Sequence, residues 1–208
     1  MKLFLQTSSG QPSLILWDNR VLFEAQYDQM QRLDYGDELA KALTNTDRQM
    51  SELDGIIVDI GPGRLGSTRT AVAFANGLGF ALDIALTPLG SFLSLGVYAE
   101  SLHARPCLVL RKAARRQYHW ALVSGGKIVE TGFSLDAQIT PASYSGPAVV
   151  VGDAAEGIVA FPTLKDVIWA NLNLAPGEAL SLLSEHLIQI SGQAVPLVET
   201  ETRTYEHI

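Results

Sequence analysis

The stretch that most constrains this chain is Gly61-Pro62-Gly63-Arg64-Leu65-Gly66-Ser67-Thr68-Arg69. It follows an apolar run, Gly55-Ile56-Ile57-Val58-Asp59-Ile60, and precedes an alanine-rich one from Thr70 to Phe80. Strand, glycine loop and helix is the reading these compositions support. Glycine and proline allow the tight turn, and the apolar run is too short and too β-branched for a helix. A helix start behind such a loop presents free backbone N–H groups and the positive end of a dipole, which suits an anion. A tight connection with no ligand explains the same residues. In the helix, Ala71, Ala75 and Gly79 recur every four residues and leave one face nearly bare. A bare face lets another element approach closely, either inside the fold or as a partner surface.

The rest of the chain repeats one order of elements. Residues 2–7, 13–17 and 20–25 read as three strands joined by a turn at 8–12 and by Asp18-Asn19, an antiparallel meander. A helix fits Tyr35 to Thr46, with Leu39, Ala42 and Leu43 at helical spacing and Asp37 and Glu38 favouring its start. The fourth strand (55–60), the glycine loop, a helix to about Leu82, a short strand Ile84–Leu86 and a helix from Ser91 to Leu102 behind Pro88-Leu89-Gly90 complete the first half. The second half opens on strands Cys107–Arg111, Tyr118–Val123 and Lys127–Thr131, the last two joined through Ser124-Gly125-Gly126. After a loop with Pro141, Gly146 and Pro147 come a buried strand, Ala148–Val151, ending in Gly152-Asp153-Ala154, and a short strand, Asp166–Trp169. Pro176 suits the first position of a last helix carried by Leu180, Leu183, Leu187 and Ile190 and closed by Gly192. The expected fold is α/β, with two copies of one lobe, each a mixed five-stranded sheet with flanking helices, at residues 1–104 and 105–208. This layout resembles the actin-like, Hsp70-like and sugar-kinase-like fold, whose lobes are ribonuclease H-like.

Composition narrows the function classes. At 47% hydrophobic and 18% charged, the chain has the apolar material for a core and too few charges for disorder. A net charge of -7 and a pI near 5.0 argue against nucleic acid binding over the whole surface, though not against a local basic patch. The single cysteine, Cys107, excludes an intrachain disulfide and a cysteine zinc site, and its apolar neighbours make it a buried strand residue. No run is long enough for a membrane span and no signal-peptide pattern opens the chain, so a soluble cytoplasmic protein is expected.

The candidate chemical sites are poorly equipped. Gly61-x4-Gly66-Ser67-Thr68 has P-loop spacing, but Ser67 stands where the phosphate-binding lysine belongs. In the actin-like fold the turn after the first strand brings a metal-organising aspartate. Here Gln6-Thr7-Ser8 stands there, and glutamine lacks the charge that Mg²⁺ requires. The second lobe opens on Arg111-Lys112-Ala113-Ala114-Arg115-Arg116, with four cations and no carboxylate. Arg111, Lys112, Arg115 and Arg116 read as a solvated hairpin tip or as a local contact to an anion or an RNA backbone. His103, His119, His186 and His207 have no metal-ligand spacing, and no Ser/His/Asp order stands out. No catalytic residue, metal site or cofactor is expected.

Gly61, Pro62, Gly63 and Arg69, with the small-residue helix behind them, resemble the bacterial TsaB (YeaZ) family and its G-P-G-S-F-T-G-x-R-x-G segment. Arg64-Leu65-Gly66-Ser67 replaces S-F-T-G and Ala71 the last glycine. Pro88-Leu89-Gly90-Ser91-Phe92, Tyr118-His119-Trp120-Ala121, Val151-Gly152-Asp153-Ala154 and Pro196 are similar to further segments of that family in order. Gln6-Thr7, Arg111–Arg116 and Val198-Glu199-Thr200 depart from its Asp-Thr, its acidic hairpin and its Tyr-Leu-Arg tail. The resemblance implies a non-catalytic subunit that pairs with a TsaD-like transferase, with a TsaE-like ATPase, in forming N6-threonylcarbamoyladenosine in ANN-decoding tRNAs. It implies a homodimer in isolation and contact with tRNA only through the complex. The implied interface is the first two helices, at Leu39, Ala42, Leu43, Ala71, Ala75, Leu78 and Gly79. The competing readings are a sugar-kinase-like phosphotransferase with a degenerate phosphate site and, for want of any nucleophile or metal constellation much less supported, a peptidase.

Overall fold

The computed structural model describes residues 1–9, 11–28, 33–114, 116–154, 157–183 and 186–187. Contacts divide the chain into Met1–Gly90 with Pro176 onward, and Ser91–Ala175.

In the first unit, strands β1 (Lys2–Gln6), β2 (Ser13–Trp17), β3 (Val21–Gln26), β4 (Gly55–Asp59) and β5 (Ala85–Leu89) form one sheet in the order β3-β2-β1-β4-β5. The β1–β2 and β2–β3 pairs are antiparallel, and β1–β4 and β4–β5 are parallel. β1 and β4 are the central strands and read as continuous apolar runs because both of their faces are buried. Alternate residues Leu3, Leu5, Ile56 and Val58 share a core with helices α1 (Tyr35–Asn45) and α2 (Leu65–Leu82). Asp34 caps α1, accepting from the N–H groups of Gly36 and Asp37.

The bare face of α2 points inward. Ala71, Ala75 and Gly79 are buried, and a Cβ on Gly79 would sit 2.9 Å from Leu86 Cδ2. The small residues let this helix lie close on the sheet, so their role is internal packing and not the outward surface expected for them. Leu39, Ala42 and Leu43 are likewise core residues, and Leu78 packs on the same core half-buried. Hydrophobic spacing identified the inner faces of both helices, since periodicity marks the core side of an amphipathic element.

In the second unit, β6 (Cys107–Ala114), β7 (Gln117–Ser124), β8 (Lys127–Ser134), β9 (Pro147–Gly152) and β10 (Lys165–Trp169) form a sheet in the order β10-β9-β6-β7-β8. Read from its other edge, the order and the mix of antiparallel and parallel pairs are those of the first sheet. The duplicated α/β architecture is therefore present. Helix α3 (Ser91–His103) packs on this second sheet, where a Cβ on Gly96 would clash with Val123. The division between units thus precedes α3, one helix earlier than the boundary at 104/105.

Local differences have simple causes. β5 runs on through Pro88 and Leu89, past the expected end at Leu86, and Gly90 then leads into α3 as expected. β5 is an edge strand, where a missing N–H is tolerated, and Pro88 stands opposite Val58. Of the last helix, the short α4 (Ala179–Leu182) is described, and Leu187 lies outside it. Ile190, Gly192, Pro196, the 198–200 segment, Arg115 and His207 lie outside the described residues.

Candidate functional site

The carboxyl ends of β1 and β4 meet beside the glycine loop. Gln6, at the end of β1, is buried and its Nε2 donates to Ser13 Oγ at 3.1 Å. The acidic group of this corner comes from the neighbouring strand. Asp59, at the end of β4, is buried and accepts four hydrogen bonds. Its Oδ2 takes the N–H groups of Thr7 at 3.0 Å and Ser8 at 2.8 Å. Its Oδ1 takes Ser8 Oγ at 2.6 Å and the N–H of Gly61 at 2.9 Å. One carboxylate therefore holds the turn after β1 and the glycine loop together. Its field reaches Tyr35, whose hydroxyl is pushed up to about 12 by burial first and by Asp59 second.

The glycine loop serves this junction. Gly61 adopts φ 94°, in the region that favours glycine, and the Gly61–Pro62 peptide is cis. A Cβ on Gly63 would clash with Cα, Cβ and O of Ser8, so only glycine lets the two turns touch. The Arg64 N–H donates to Ser8 O at 3.3 Å, and Arg64 stands at the N-cap of α2 without a side-chain cap. Because α2 begins at Leu65, Gly66 lies in its first turn and not in a loop around a phosphate. The P-loop spacing at Gly61 and Gly66 is thus not a P-loop. Arg69 is exposed on α2.

The second unit repeats the junction with different chemistry. Leu5 pairs with Val58 and Leu110 with Gly152, which makes Gln6 and Arg111 equivalent, and likewise Asp59 and Asp153. Arg111 is 1% exposed, so it is no hairpin-tip residue and offers nothing to an RNA backbone. Its guanidinium pairs with Asp153 Oδ1 at 3.1 Å and donates to Asn173 O at 2.9 Å and Ser91 Oγ at 3.4 Å. Asp153 Oδ2 accepts the N–H of Lys112 at 3.2 Å. A long side chain entering an apolar sheet end needs such partners, because an unpaired buried charge is costly. Lys112 and Arg116 are exposed, and Arg116 Nη2 donates to Asp136 O at 3.1 Å.

Burial pushes the Cys107 thiol up, away from the reactive thiolate, and pushes His119 down. Among the described residues no three His, Cys, Asp or Glu side chains converge as a metal site, and no helix is long and apolar enough to cross a membrane.

The outer face of α2 carries what periodicity alone missed. Phe80 is 91% exposed and Leu65 is 42% exposed. Between them lie Gly66, Ala73 and Gly77, also exposed, and Gly66 and Gly77 have open space where a Cβ would stand. Phe80 is the most exposed of the large hydrophobic side chains among the described residues. Asp59 and Asp153 were also missed as site residues, although Asp59 ends an apolar strand and Asp153 directly follows one, positions where a carboxylate needs a reason.

Comparison with known proteins agrees with this geometry. The chain is similar to YeaZ from Pseudomonas aeruginosa, with a TM-score of 0.73 at 17% identity over 94% of this chain and 98% of that one. A second Pseudomonas aeruginosa structure, of an uncharacterized protein with similarity to the peptidase YEAZ, gives 0.70 at the same identity and coverage. Both show the fold, two mixed five-stranded sheets with flanking helices. Uncharacterized proteins of Mycobacterium tuberculosis and Mycobacterium bovis are 30% identical over 121 residues, 58% of this chain. The chain spans about half the length of these curated relatives, 54%. A family model described as TsaD, tRNA N6-adenosine threonylcarbamoyltransferase, matches residues 35–165, more than half of the 208 residues. This chain therefore belongs to the TsaD family.

Proposed function

We propose that this chain is a TsaB-like accessory subunit in the formation of N6-threonylcarbamoyladenosine in ANN-decoding tRNAs, and that catalysis resides in a TsaD-like partner. A TsaE-like ATPase completes the assembly, tRNA is met only through the complex, and the work is done in the cytoplasm. In isolation the chain pairs with a second copy. The observation that carries this reading is the outer face of α2, with Phe80 exposed at 91% beside the uncovered Gly77 and Ala73. An apolar ring flanked by small residues suits close packing against a partner helix, where it would leave water. The interface moves accordingly from Ala71, Ala75 and Gly79 to Leu65, Ala73, Gly77 and Phe80 on the same helix. Membership of the TsaD family supports the place in tRNA modification, and the corners at Gln6 and Arg111, which lack an open carboxylate, support the accessory role.

The test is multi-angle light scattering of the pure chain alone and mixed with the TsaD-like transferase of its own host. A dimer alone and a one-to-one complex in the mixture are expected. Gly77→Arg places a charged side chain in open space, so it should abolish both species while far-UV circular dichroism stays unchanged. A chain that stays monomeric and forms no complex overturns the proposal. Micromolar binding of Mg·ATP by the isolated chain, measured by calorimetry, overturns the non-catalytic part.

A further inference from the structure

The two equivalent corners share more than their place in the fold. In the first unit the N–H of Thr7, two residues beyond Leu5, donates to Asp59. In the second the N–H of Lys112, two residues beyond Leu110, donates to Asp153. The same backbone donor thus meets a carboxylate from the same neighbouring strand in both copies, although Gln6 stands before one and Arg111 before the other. Around each carboxylate the remaining donors also converge. Ser8 N, Ser8 Oγ and Gly61 N join the first set, and the Arg111 guanidinium joins the second. Successive backbone N–H groups of a turn that aim at one point make a concavity suited to an oxyanion, and a guanidinium adds charge to it.

We propose that each unit contains an anion seat, of the kind that takes a carboxylate or phosphate oxygen pair, and that Asp59 and Asp153 of this chain occupy the two seats permanently. A free phosphate is therefore kept out by a covalently tethered competitor. The tether gives an effective concentration that a dissolved anion does not match, since the aspartate loses no translational freedom on docking. The first seat is lined by four neutral donors and the second by a cation, so the second holds an anion more tightly. This inference is independent of the accessory role, because it concerns each unit by itself and its test needs no partner.

The test is chemical replacement of the missing side chain. Asp59→Gly removes the atoms that acetate restores, and Asp59→Ala removes those that formate restores. Thermal unfolding is followed by circular dichroism in acetate, formate, inorganic phosphate and chloride at one ionic strength and pH 7. The variants should unfold well below the wild type in chloride. They should then regain about 5–10 °C, saturably, when the matching anion reaches roughly 100 times its Kd. The wild type should respond equally to all four salts. Asp59→Asn should also respond equally, because its amide still fills the seat. If the glycine and alanine variants are unfolded in chloride, the same comparison is read as the fraction refolded in each salt. In the second unit Asp153→Ala should be rescued at a lower formate concentration than Asp59→Ala. A saturable phosphate response in the wild type overturns the proposal, because it means that the seat is open. The same response to all four salts in Asp59→Gly, Asp59→Ala and Asp59→Asn also overturns it, because it means that no seat exists.

Discussion

Replacing Asp153 by alanine isolates what burial does to an ion pair. The Arg111 side chain is 2% exposed and the Asp153 side chain 15%, with 3.1 Å between Nη1 and Oδ1. A second pair, Arg105 to Asp166, is shorter at 2.8 Å but lies at 32% and 66% exposure. If distance decided the energy, the second pair would matter more. Burial decides it, because removing one partner of a buried pair strands a charge where water does not reach, a loss of about 3–5 kcal/mol. The exposed pair gives about 0–1 kcal/mol. Arg111 keeps its bonds to Asn173 O and Ser91 Oγ, which are neutral acceptors that hold the guanidinium without balancing its charge. The lower half of the range, about 3–4 kcal/mol, is therefore expected for Asp153→Ala, or about 6–16 °C in Tm for a chain of this size. The control is Asp166→Asn, since Asp166 has φ 49° and asparagine tolerates that conformation; it should shift Tm by less than about 4 °C. Differential scanning calorimetry in moderate salt measures both. Adding Arg111→Met to Asp153→Ala should recover part of the loss, because the stranded charge goes with it. The reasoning is refuted if Asp153→Ala and Asp166→Asn shift Tm equally, or if Arg111→Met makes the double variant less stable than Asp153→Ala alone.

Three further outcomes follow from single contacts. Gly63→Ala forces a methyl group onto the backbone of Ser8, which has no room to yield, so chemical denaturation should show a loss of about 1–3 kcal/mol or more. Glu24 has a pKa raised by burial first and by Glu178 third, opposed by the bond from the Gly177 N–H. Its stabilising contribution is thus present below the ordinary carboxylate range and lost as pH rises through its folded pKa. Glu24→Gln, which still accepts from Gly177, should raise Tm at pH 7, with the gain shrinking toward pH 4. Glu100 accepts from Gly125 at 2.7 Å and from Gly126 at 2.9 Å at the turn between β7 and β8. Glu100→Ala should speed hydrogen exchange at those two amides by about tenfold or more, each charge-assisted bond contributing about 1.5–3 kcal/mol.

The architecture was legible in the sequence because its signals are local. Alternation and apolar runs marked the strands, and the repeated order of elements announced the duplication before any pairing was known. Helix spacing at Leu39, Ala42 and Leu43, and at Ala71, Ala75 and Gly79, marked inner faces correctly, but an inner face was read as an outer one. A small-residue stripe states only that something approaches closely; it does not say whether a partner or the chain's own sheet approaches. Arg111 was read as exposed for a similar reason. Four cations in six residues suggest solvent, and nothing within that hairpin reveals an aspartate 42 residues away. Asp59 looked like the end of a strand because its partners, Thr7 and Ser8, are more than 50 residues distant in the chain. Local patterning specifies elements, whereas long-range polar contacts become visible only once register is fixed.

The satisfied donors around Asp59 bear on how this chain tolerates change. A turn that waits for a substrate keeps its N–H groups unpaired between turnovers and stores that cost as lost stability. Here the N–H groups of Thr7, Ser8 and Gly61 donate to Asp59, a residue of the chain itself. Those bonds add to the stability of the corner in the folded chain itself. Only Gly61 and Gly63 are held there by backbone geometry. Residues 64–67, where the chain departs from the glycine-loop pattern it resembles, make no side-chain bond to Asp59 among the bonds described at this corner.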